Sequence, residues 1–470
     1  MAMLIAGAGQ ATLSRTSAQT FNALRTFTNS PDGNNPGPAF IVSGNVLYGT
    51  CERGGQYGAG IVFRMNLDGT DFTNLHSFAL TASFFTNIGG AYPSGPLLLS
   101  DNMLYGPTLY GGSGGYGVIY AVDTGGMNFT NLHNFAFPLN FTNSDGMQPE
   151  DRLILIGNTL YGAAANGGVF GDGTLFSICT NGTGFTNFHN FNTAGGYAPQ
   201  GGITFSSNLL YGAANGGYDS SKVNSGSGTI FAIGTNGMGF TNLYTFSGGS
   251  DGGKPQGHLE LFGNTLYGTT QEGGNGSIGG TGGDGTIFKI NADGTGFVVL
   301  HRFSGSDGED PLGGVILSNN ILYGCTAEGG SVNSGVVYKL NLSNTNFVML
   351  HSFTALSGSH ETNSDGESPN DHPIIASNLL YGTANSGGLA GDGTVFTLTL
   401  PPSPPLGINS SGSNVVLTWP TNAVGFLLQS ATNLASPTWG NISAAPVVVN
   451  AQNAVTNAVS GKQLLYRLTQ

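Results

Sequence analysis

The chain has 470 residues, of which 80 are glycine, only 8% are charged and 10% are aromatic. This composition is typical of a turn-rich chain with enough apolar side chains for a core, and it excludes an intrinsically disordered protein. Acidic residues outnumber basic ones by 25 to 12, and the basic residues are scattered singly. Since nucleic-acid binding needs a basic patch, we expect no nucleic-acid partner.

Residues 1–19 form a leader with a short apolar run from Ala2 to Ala8 and no basic residue before it. An export signal needs a basic start and a longer apolar run, so we interpret the leader either as a degenerate signal segment or as a plain tail. No later stretch is apolar for long enough to predict a transmembrane segment.

A Leu-Tyr-Gly core recurs seven times, roughly every 55 residues, a period typical of propellers and solenoids. A short apolar segment and a two-residue turn with Asn in second place precede each core, and Gly-x-x-Phe/Tyr and Leu-His-x-Phe patterns follow it. We name the four predicted strands of a repeat a, b, c and d, in chain order. The seven core tyrosines are Tyr48, Tyr105, Tyr161, Tyr211, Tyr267, Tyr323 and Tyr381.

The two ends of the repeat array are complementary. The array begins with a d segment, Phe21 to Phe27, and its last repeat ends after strand c near Leu400. Together they complete one blade, and such closure removes exposed sheet edges, whereas an open solenoid would need caps. We therefore predict an all-β fold in which residues 20–400 form a seven-bladed β-propeller with four-stranded blades, closed by the N-terminal strand.

The remaining residues do not follow the repeat. Residues 401–405 read Pro-Pro-Ser-Pro-Pro, which predicts a short stiff linker. Residues 406–470 contain both tryptophans, Trp419 and Trp439, among four apolar or alternating segments. Short strands around a buried tryptophan are typical of a β-sandwich, so we predict a small fibronectin-type-III-like domain here.

The repeat unit resembles the GloVer (Gloeo-Verruco) tandem repeat of secreted and surface proteins of bacteria. The resemblance covers roughly residues 20–400 and rests on Tyr-Gly-Thr, Gly-Gly, Gly-Thr-x-Phe and Asp-Gly elements that recur in register, as in residues 266–311. It implies an extracellular or cell-surface location. It brings no established catalytic residues.

Five connections from strand d to strand a share an Asp-Gly-x-x-Pro motif, for which two interpretations stay open. Carboxylates on one rim of the propeller would suit Ca²⁺ or sugar hydroxyls, and calcium is the one cofactor that the sequence suggests. Alternatively, Asp, Gly and Pro only form the turn, which explains better why most repeats share them. The aspartates are Asp32, Asp145, Asp251, Asp307 and Asp365.

The loops of repeats one to four form a second candidate site. They carry one arginine and several aromatic residues, whereas the b–c loops of repeats five to seven carry no aromatic residue. Rigid aromatic side chains often anchor proteins and sugars, so we predict a ligand-binding aromatic sector, with neutral loop variation as the alternative. Its residues are Arg53, Tyr57, Tyr92, Tyr110, Tyr116, Phe170, Tyr197 and Tyr218.

Five histidines occupy one position of strand d, and we expect a structural role for them at the outer edge of the blades. Because they lie at least one blade apart, they cannot share one metal ion. The histidines are His76, His133, His189, His301 and His351.

The sequence shows none of the common hydrolase, metalloprotease or redox motifs. It favours a secreted or cell-surface, non-catalytic binding or scaffold protein whose partner is an extracellular glycan or a surface protein. Two alternatives stay open: an extracellular polysaccharide lyase or glycoside hydrolase on a propeller scaffold, and a structural surface or matrix component. An enzyme would bring two or more acidic, histidine or tyrosine groups together near the propeller axis.

Overall fold

The computed structural model describes residues 19–37, 39–79, 87, 89–192, 195–216, 226–275, 283–370, 372–400, 406–411, 414–421, 427–431, 440–442, 444–450, 452–458 and 465–469. Every regular element in these ranges is a β-strand, so none of them forms a helix that could cross a membrane. Seven antiparallel sheets have the predicted order a-b-c-d, and two small sheets follow them. The all-β prediction is confirmed.

The strands of the seven sheets fall at the predicted positions, and strands b and c are the most buried. Strands a are Ile41–Ser43, Leu98–Ser100, Ile154–Ile156, Ile203–Ser206, Glu260–Phe262, Ile316–Ser318 and Ile374–Ala376. Strands b are Val46–Arg53, Met103–Tyr110, Thr159–Ala164, Leu209–Ala214, Thr265–Thr270, Ile321–Thr326 and Leu379–Ala384. Strands c are Gly58–Asn66, Val118–Asp123, Thr174–Cys179, Thr229–Gly234, Thr286–Asn291, Val336–Asn341 and Thr394–Thr399. Strands d are Phe21–Thr26, Thr73–Ala79, Thr130–Asn134, Thr186–Asn190, Thr241–Thr245, Val298–Arg302 and Phe347–Ser352. Two short additional strands also pair with strand b: Asn34–Pro36 in the first sheet and Ala91–Pro93 in the second.

The Leu-Tyr-Gly glycine recurs because it makes room for an aromatic ring. In repeat five, Gly268 on strand b lies directly opposite Phe288 on strand c. A Cβ atom on Gly268 would lie only 2.7 Å from the fully buried Phe288 ring, a contact too short for any other residue. The same pairing occurs in the other six repeats, which explains why the two sequence elements recur together.

The hydrophobic core is divided into clusters that each join two consecutive repeats. One cluster joins Val62 of repeat one to Val122 of repeat two, and five more continue this order to repeat seven. The last joins Tyr381 of repeat seven to Phe63 of repeat one. The series of contacts is therefore closed, and the β-propeller prediction is confirmed. Seven blades remain a prediction, with which the seven sheets agree.

The N-terminal strand completes the sheet of the last repeat, as expected. Phe21–Thr26 pairs in antiparallel fashion with Thr394–Thr399, with Phe21 opposite Leu398. Phe21 also stacks on His351 of the preceding blade, with ring centroids 3.9 Å apart. Residues separated by most of the array thus share one sheet.

The described part of the C-terminal region forms two antiparallel sheets. One contains Gly407–Ser411, Asn414–Pro420, Val447–Val449 and Gln452–Ala458, and the other Leu427–Ala431, Gly440–Asn441 and Leu465–Thr469. Trp419 of the first sheet packs with Leu428 of the second, which gives a small sandwich. Its likeness to fibronectin type III stays a prediction. Residues 1–18, the linker 401–405 and Trp439 lie outside the described residues.

Candidate functional site

The histidines of strand d fasten neighbouring blades. The rings of His133 and Phe185 of the next repeat are nearly parallel, with centroids 3.6 Å apart and an interplanar angle of 3°. Tyr244 and Arg25, which take the histidine's place in two blades, lie on a phenylalanine in the same way. The other stacked pairs are His76–Phe129, His189–Phe240, His301–Phe347 and His351–Phe21. These contacts support a structural role for this position.

The five aspartates of the Asp-Gly-x-x-Pro motif lie one to a connection, and each binds the strand d that precedes it. Asp365 Oδ2 lies 2.9 Å from His351 Nε2 and accepts a hydrogen bond from the Thr354 N–H at 3.2 Å. Burial acts to raise the pKa of Asp365, but the hydrogen bonds from His351 and Thr354 bring it below its ordinary value. The equivalent pairs are Asp32–Arg25, Asp145–His133, Asp251–Tyr244 and Asp307–His301.

These contacts give the aspartates a turn-forming role. Each carboxylate is used within its own connection, and no group of three or more His, Cys, Asp or Glu side chains in the described ranges could hold a metal ion. Calcium binding by this motif stays a prediction, and the geometry does not favour it.

The proline of the same motif packs against the preceding blade. A Cβ atom on Gly285, which precedes strand c of repeat five, would lie 2.6 Å from Pro311 Cδ. Asp310, directly before this proline, has a φ of 61°, and its N–H donates to the Asp284 carbonyl at 3.3 Å. The residue before the proline has a positive φ in every repeat: Asn35, Tyr92, Gln148, Ala198, Lys254, Asp310 and Ser368. Seven equivalent turns, each in a sparsely populated backbone conformation, thus present the next residue in the same way.

The residues that follow the seven prolines converge on one cavity of about 370 Å³. Because each repeat contributes one of them, the cavity lies on the axis of the ring, and we call it the axial cavity. The seven residues are Gly37, Ser94, Glu150, Gln200, Gln256, Leu312 and Asn370. Residues at the ends of three strands b also line the cavity: Glu52, Leu109 and Asn385.

The lining of the axial cavity contains many polar side chains beside apolar ones, and it differs from blade to blade. It contains three carboxylates, five side-chain amides, the hydroxyl of Ser94 and the apolar side chains of Leu109 and Leu312. The carboxylates are Glu52, Glu150 and Asp151. The amides are Asn35, Gln200, Gln256, Asn370 and Asn385.

Amide side chains hold two of these carboxylates in place. Glu52 Oε2 accepts a hydrogen bond from Asn35 Nδ2 at 2.6 Å. Glu150 Oε2 accepts one from Gln200 Nε2 at 2.6 Å, and Gln200 Oε1 accepts one from Asn215 Nδ2 at 2.6 Å. A chain of two amides from repeat four therefore orients the carboxylate of repeat three.

The protein environment makes both carboxylates harder to ionise. Burial raises the pKa of Glu150, the hydrogen bond from Gln200 opposes this shift, and the negative charge of Glu52 adds to it. Burial also raises the pKa of Glu52, with the neighbouring Arg53 acting in the opposite direction. A ligand that brings hydrogen-bond donors or positive charge would favour the ionised forms of both groups.

Two buried histidines from repeats five and seven meet at the cavity. His258 lines it, and the ring centroids of His258 and His372 lie 3.9 Å apart. At the equivalent position repeat six has Gly314, which leaves room for the two rings. A Cβ atom on Gly314 would lie 2.5 Å from His258 Nδ1. Burial, together with the charges of His372 and Arg152, holds the pKa of His258 well below its usual value. His258 is therefore neutral at neutral pH.

The predicted aromatic sector does not line the axial cavity. Tyr197 is 5% exposed within the protein, Tyr92 and Tyr110 pack edge to face, and Tyr116 packs against Phe137. Side chains of three other members are exposed, and one member lies outside the described residues. The exposed members are Arg53, Tyr57 and Phe170, and the undescribed one is Tyr218. The aromatic sector stays a prediction, separate from this cavity.

The adjacent carboxylates Glu150 and Asp151 stand out in the sequence as a pair that could serve a glycosidase or lyase, but the other axial residues do not, although a signal for them exists. They occupy one fixed position, directly after the motif proline, and their identity changes from repeat to repeat. A residue type that all repeats share is explained by folding. Residues that differ among the repeats but that the fold brings to one place are candidates for ligand binding.

A comparison with known protein families agrees with the repeat. A family model described as the Gloeobacter/Verrucomicrobia repeat matches residues 6–137, 80–279 and 277–404. No curated protein sequence matches the chain.

Solved structures with a similar fold share little sequence with this chain. An oligogalacturonate lyase in complex with manganese is 12% identical over 82% of this chain and 97% of its own, with a TM-score of 0.49. An oligogalacturonate lyase from Vibrio parahaemolyticus is 11% identical over 82% and 98%, with a TM-score of 0.48. A puromycin hydrolase is 11% identical over 85% and 59%, with a TM-score of 0.48. At these identities the likeness concerns the fold alone.

Proposed function

The chain belongs to the Gloeobacter/Verrucomicrobia repeat family, and we propose that it is a secreted or cell-surface, non-catalytic protein that binds a carbohydrate in its axial cavity. One observation carries this proposal: residues that differ among the seven repeats converge on a single polar cavity of about 370 Å³. Cavities of a few hundred cubic ångströms are the size class that takes small ligands. Folding explains the shared residues of the repeats, but it does not explain this polar lining.

The chemistry of the lining favours a polyhydroxylated ligand. Sugar hydroxyls both donate and accept hydrogen bonds, and carboxylates and side-chain amides supply the matching acceptors and donors. Leu109 and Leu312 offer apolar contacts for the C–H groups of a sugar ring. Several of the polar groups are already held by neighbours, as Gln200 holds Glu150. Such preorganisation lowers the entropic cost of binding.

A cavity-filling substitution tests this proposal. Leu312→Trp would place an indole ring in the axial cavity, whereas Leu389→Trp makes the same change at a side chain that is 78% exposed. We expect a glycan array to show binding by the full chain and by Leu389→Trp, and at least about ten-fold weaker binding by Leu312→Trp. Melting temperatures of both variants would show that they fold.

Two results would contradict the proposal. One is the absence of binding to any glycan on the array. The other is equal binding by folded Leu312→Trp and the unchanged chain, which would place the site elsewhere. Fractionation of cells that express the protein tests its proposed location at the surface or in the medium.

A second candidate function, glycoside hydrolysis, is favoured by one observation. Glu52 and Glu150 belong to the same cavity, and both have a raised pKa, with burial as the main cause. Cleavage of a glycosidic bond uses two carboxyl groups, one protonated and one ionised. Mass analysis after prolonged incubation with a bound oligosaccharide decides between the functions. Fragments that form with the unchanged chain but not with Glu150→Gln would indicate hydrolysis. An oligosaccharide that stays intact would support binding without cleavage.

A further inference from the structure

We propose that the axial cavity prefers an amino sugar with a free ammonium group over a neutral sugar of the same shape. This inference rests on the proposed function and gives it a ligand class. It follows from the balance of charge in the cavity, from the arrangement of the carboxylates and from the size of the space.

The lining of the axial cavity contains three carboxylates from two repeats. Glu52 comes from repeat one, and the adjacent Glu150 and Asp151 come from repeat three. Among the described residues, the lining includes no lysine or arginine. A cationic ligand would therefore be attracted to the cavity, and an anionic sugar such as a uronate would be repelled.

The cation nearest to Glu52 is Arg53, whose Nε lies 3.8 Å from Glu52 Oε1. Two further cations interact with groups outside the lining or with His258. Lys254, two residues before Gln256 of the lining, forms an ion pair with Glu272. Arg152 lies close to His258 and Glu260. Its positive charge lowers the pKa of His258, and it opposes the increase in the pKa of Glu260 that burial causes. These contacts leave the charge of Glu150 without a compensating cation inside the cavity.

Glu150 has acceptor capacity left for a ligand, because Gln200 engages only its Oε2. Glu52 is engaged at both oxygens, by Asn35 at Oε2 and by Arg53 at Oε1. An ammonium group donates three hydrogen bonds, and such charge-assisted bonds to carboxylates are about twice as strong as neutral ones. An ammonium beside Glu150 would also stabilise the ionised form that burial disfavours there.

The size of the cavity favours an organic cation over a bare metal ion. Ca²⁺ needs six to eight oxygen ligands within about 2.3–2.6 Å, and the described residues contain no such group of three or more metal-ligating side chains. A space of about 370 Å³ accommodates a sugar ring instead. In that space the ammonium would meet the carboxylates, while ring hydroxyls would meet amides such as Asn370 and Asn385.

Three trisaccharides with the same β-1,4 linkage test the inference: the trimers of glucosamine, of N-acetylglucosamine and of glucose. We would measure their affinity for the full chain by calorimetry at about pH 6, where the amino group is charged. We expect the glucosamine trimer to bind at least about ten-fold more tightly than the other two. Glu150→Gln should remove most of this preference, and Glu361→Gln, the same change at an exposed loop residue, should preserve it.

The outcomes separate this inference from the proposed function. Equal binding of all three trimers, or tighter binding of a neutral one, would overturn the amino-sugar preference and leave carbohydrate binding intact. A chain with a net charge of −13 also attracts polycations non-specifically. Glucosamine-trimer binding that persists in Leu312→Trp would thus be surface attraction and would overturn the inference. Binding of no sugar, here or on the array, would overturn the proposed function as well.

Discussion

His76 stacks on Phe129 of the next repeat, with ring centroids 3.7 Å apart, and burial lowers the pKa of His76 to about 4. Burial also lowers the pKa of His189 and of His301, which occupy the same position in other blades. In these three blades the stacked imidazole is therefore harder to protonate than a free histidine. The histidines act as packing residues, one to each blade interface, as expected from the sequence.

The depressed pKa of His76 predicts a loss of stability in mild acid. In the unfolded chain the pKa of this histidine lies near its ordinary value of 6.5, so between pH 6.5 and about 4 the unfolded state binds more protons than the folded state. The free energy of unfolding should therefore fall as the pH falls through this window. His76→Phe keeps an aromatic ring but cannot titrate, and it should lose less stability than the unchanged chain between about pH 7 and pH 5. Urea unfolding at the two pH values measures this difference, and equal losses would refute the assignment.

Connections between strands show how one element serves two purposes. The Asp-Gly-x-x-Pro turn binds the preceding strand d through its aspartate and packs on the preceding blade through its proline, as Asp365 and Pro311 illustrate. The residue after the proline has no part in either contact, so it is free to vary. The turn thus holds a fold-determining and a ligand-facing position only a few residues apart.

If the aspartate only forms the turn, its substitution should lower the stability of the protein, and calcium should not change that stability. Asp365→Ala should lower the free energy of unfolding by about 1–3 kcal/mol, because it removes hydrogen bonds from His351 and Thr354 in a buried place. Asp68→Ala is the control, since Asp68 is exposed and binds only Thr70 of its own turn. The melting temperature of the unchanged chain should be the same in calcium and in EDTA. Stabilisation by calcium that disappears in Asp365→Ala would instead show that the motif binds the ion.

Most of the strands could be predicted from the sequence, because local signals define them. The Leu-Tyr-Gly glycine, the aromatic residue of strand c and the Asn turns recur at fixed spacing, and a contact such as Gly268 with Phe288 explains each of them. The short strands Asn34–Pro36 and Ala91–Pro93 carry no such signal and were not expected. The axial cavity could not be predicted in the same way, since its lining residues are far apart in sequence and no single residue type is common to all of them.

Closure of the ring determines what the whole molecule can do. The contact cycle from repeat one to repeat seven and back places seven equivalent turns around one axis. No single repeat contains a binding site, because each contributes only a few side chains to the cavity. Polar residues come from repeats one, two, three, four, five and seven, and the apolar Leu109 and Leu312 come from repeats two and six. The carbohydrate binding that we propose would therefore depend on differences among the repeats.

The measurement that tests this account most directly is hydrogen–deuterium exchange of the full chain, with and without the glycan that binds best on the array. Ligand in the axial cavity should slow exchange at once in several turns that are far apart in sequence, around residues 35–37, 150–152, 200–202, 256–258 and 312–314. Loops that carry Tyr57 and Phe170 should exchange at an unchanged rate. Protection confined to those aromatic loops, or to a single repeat, would contradict the axial site.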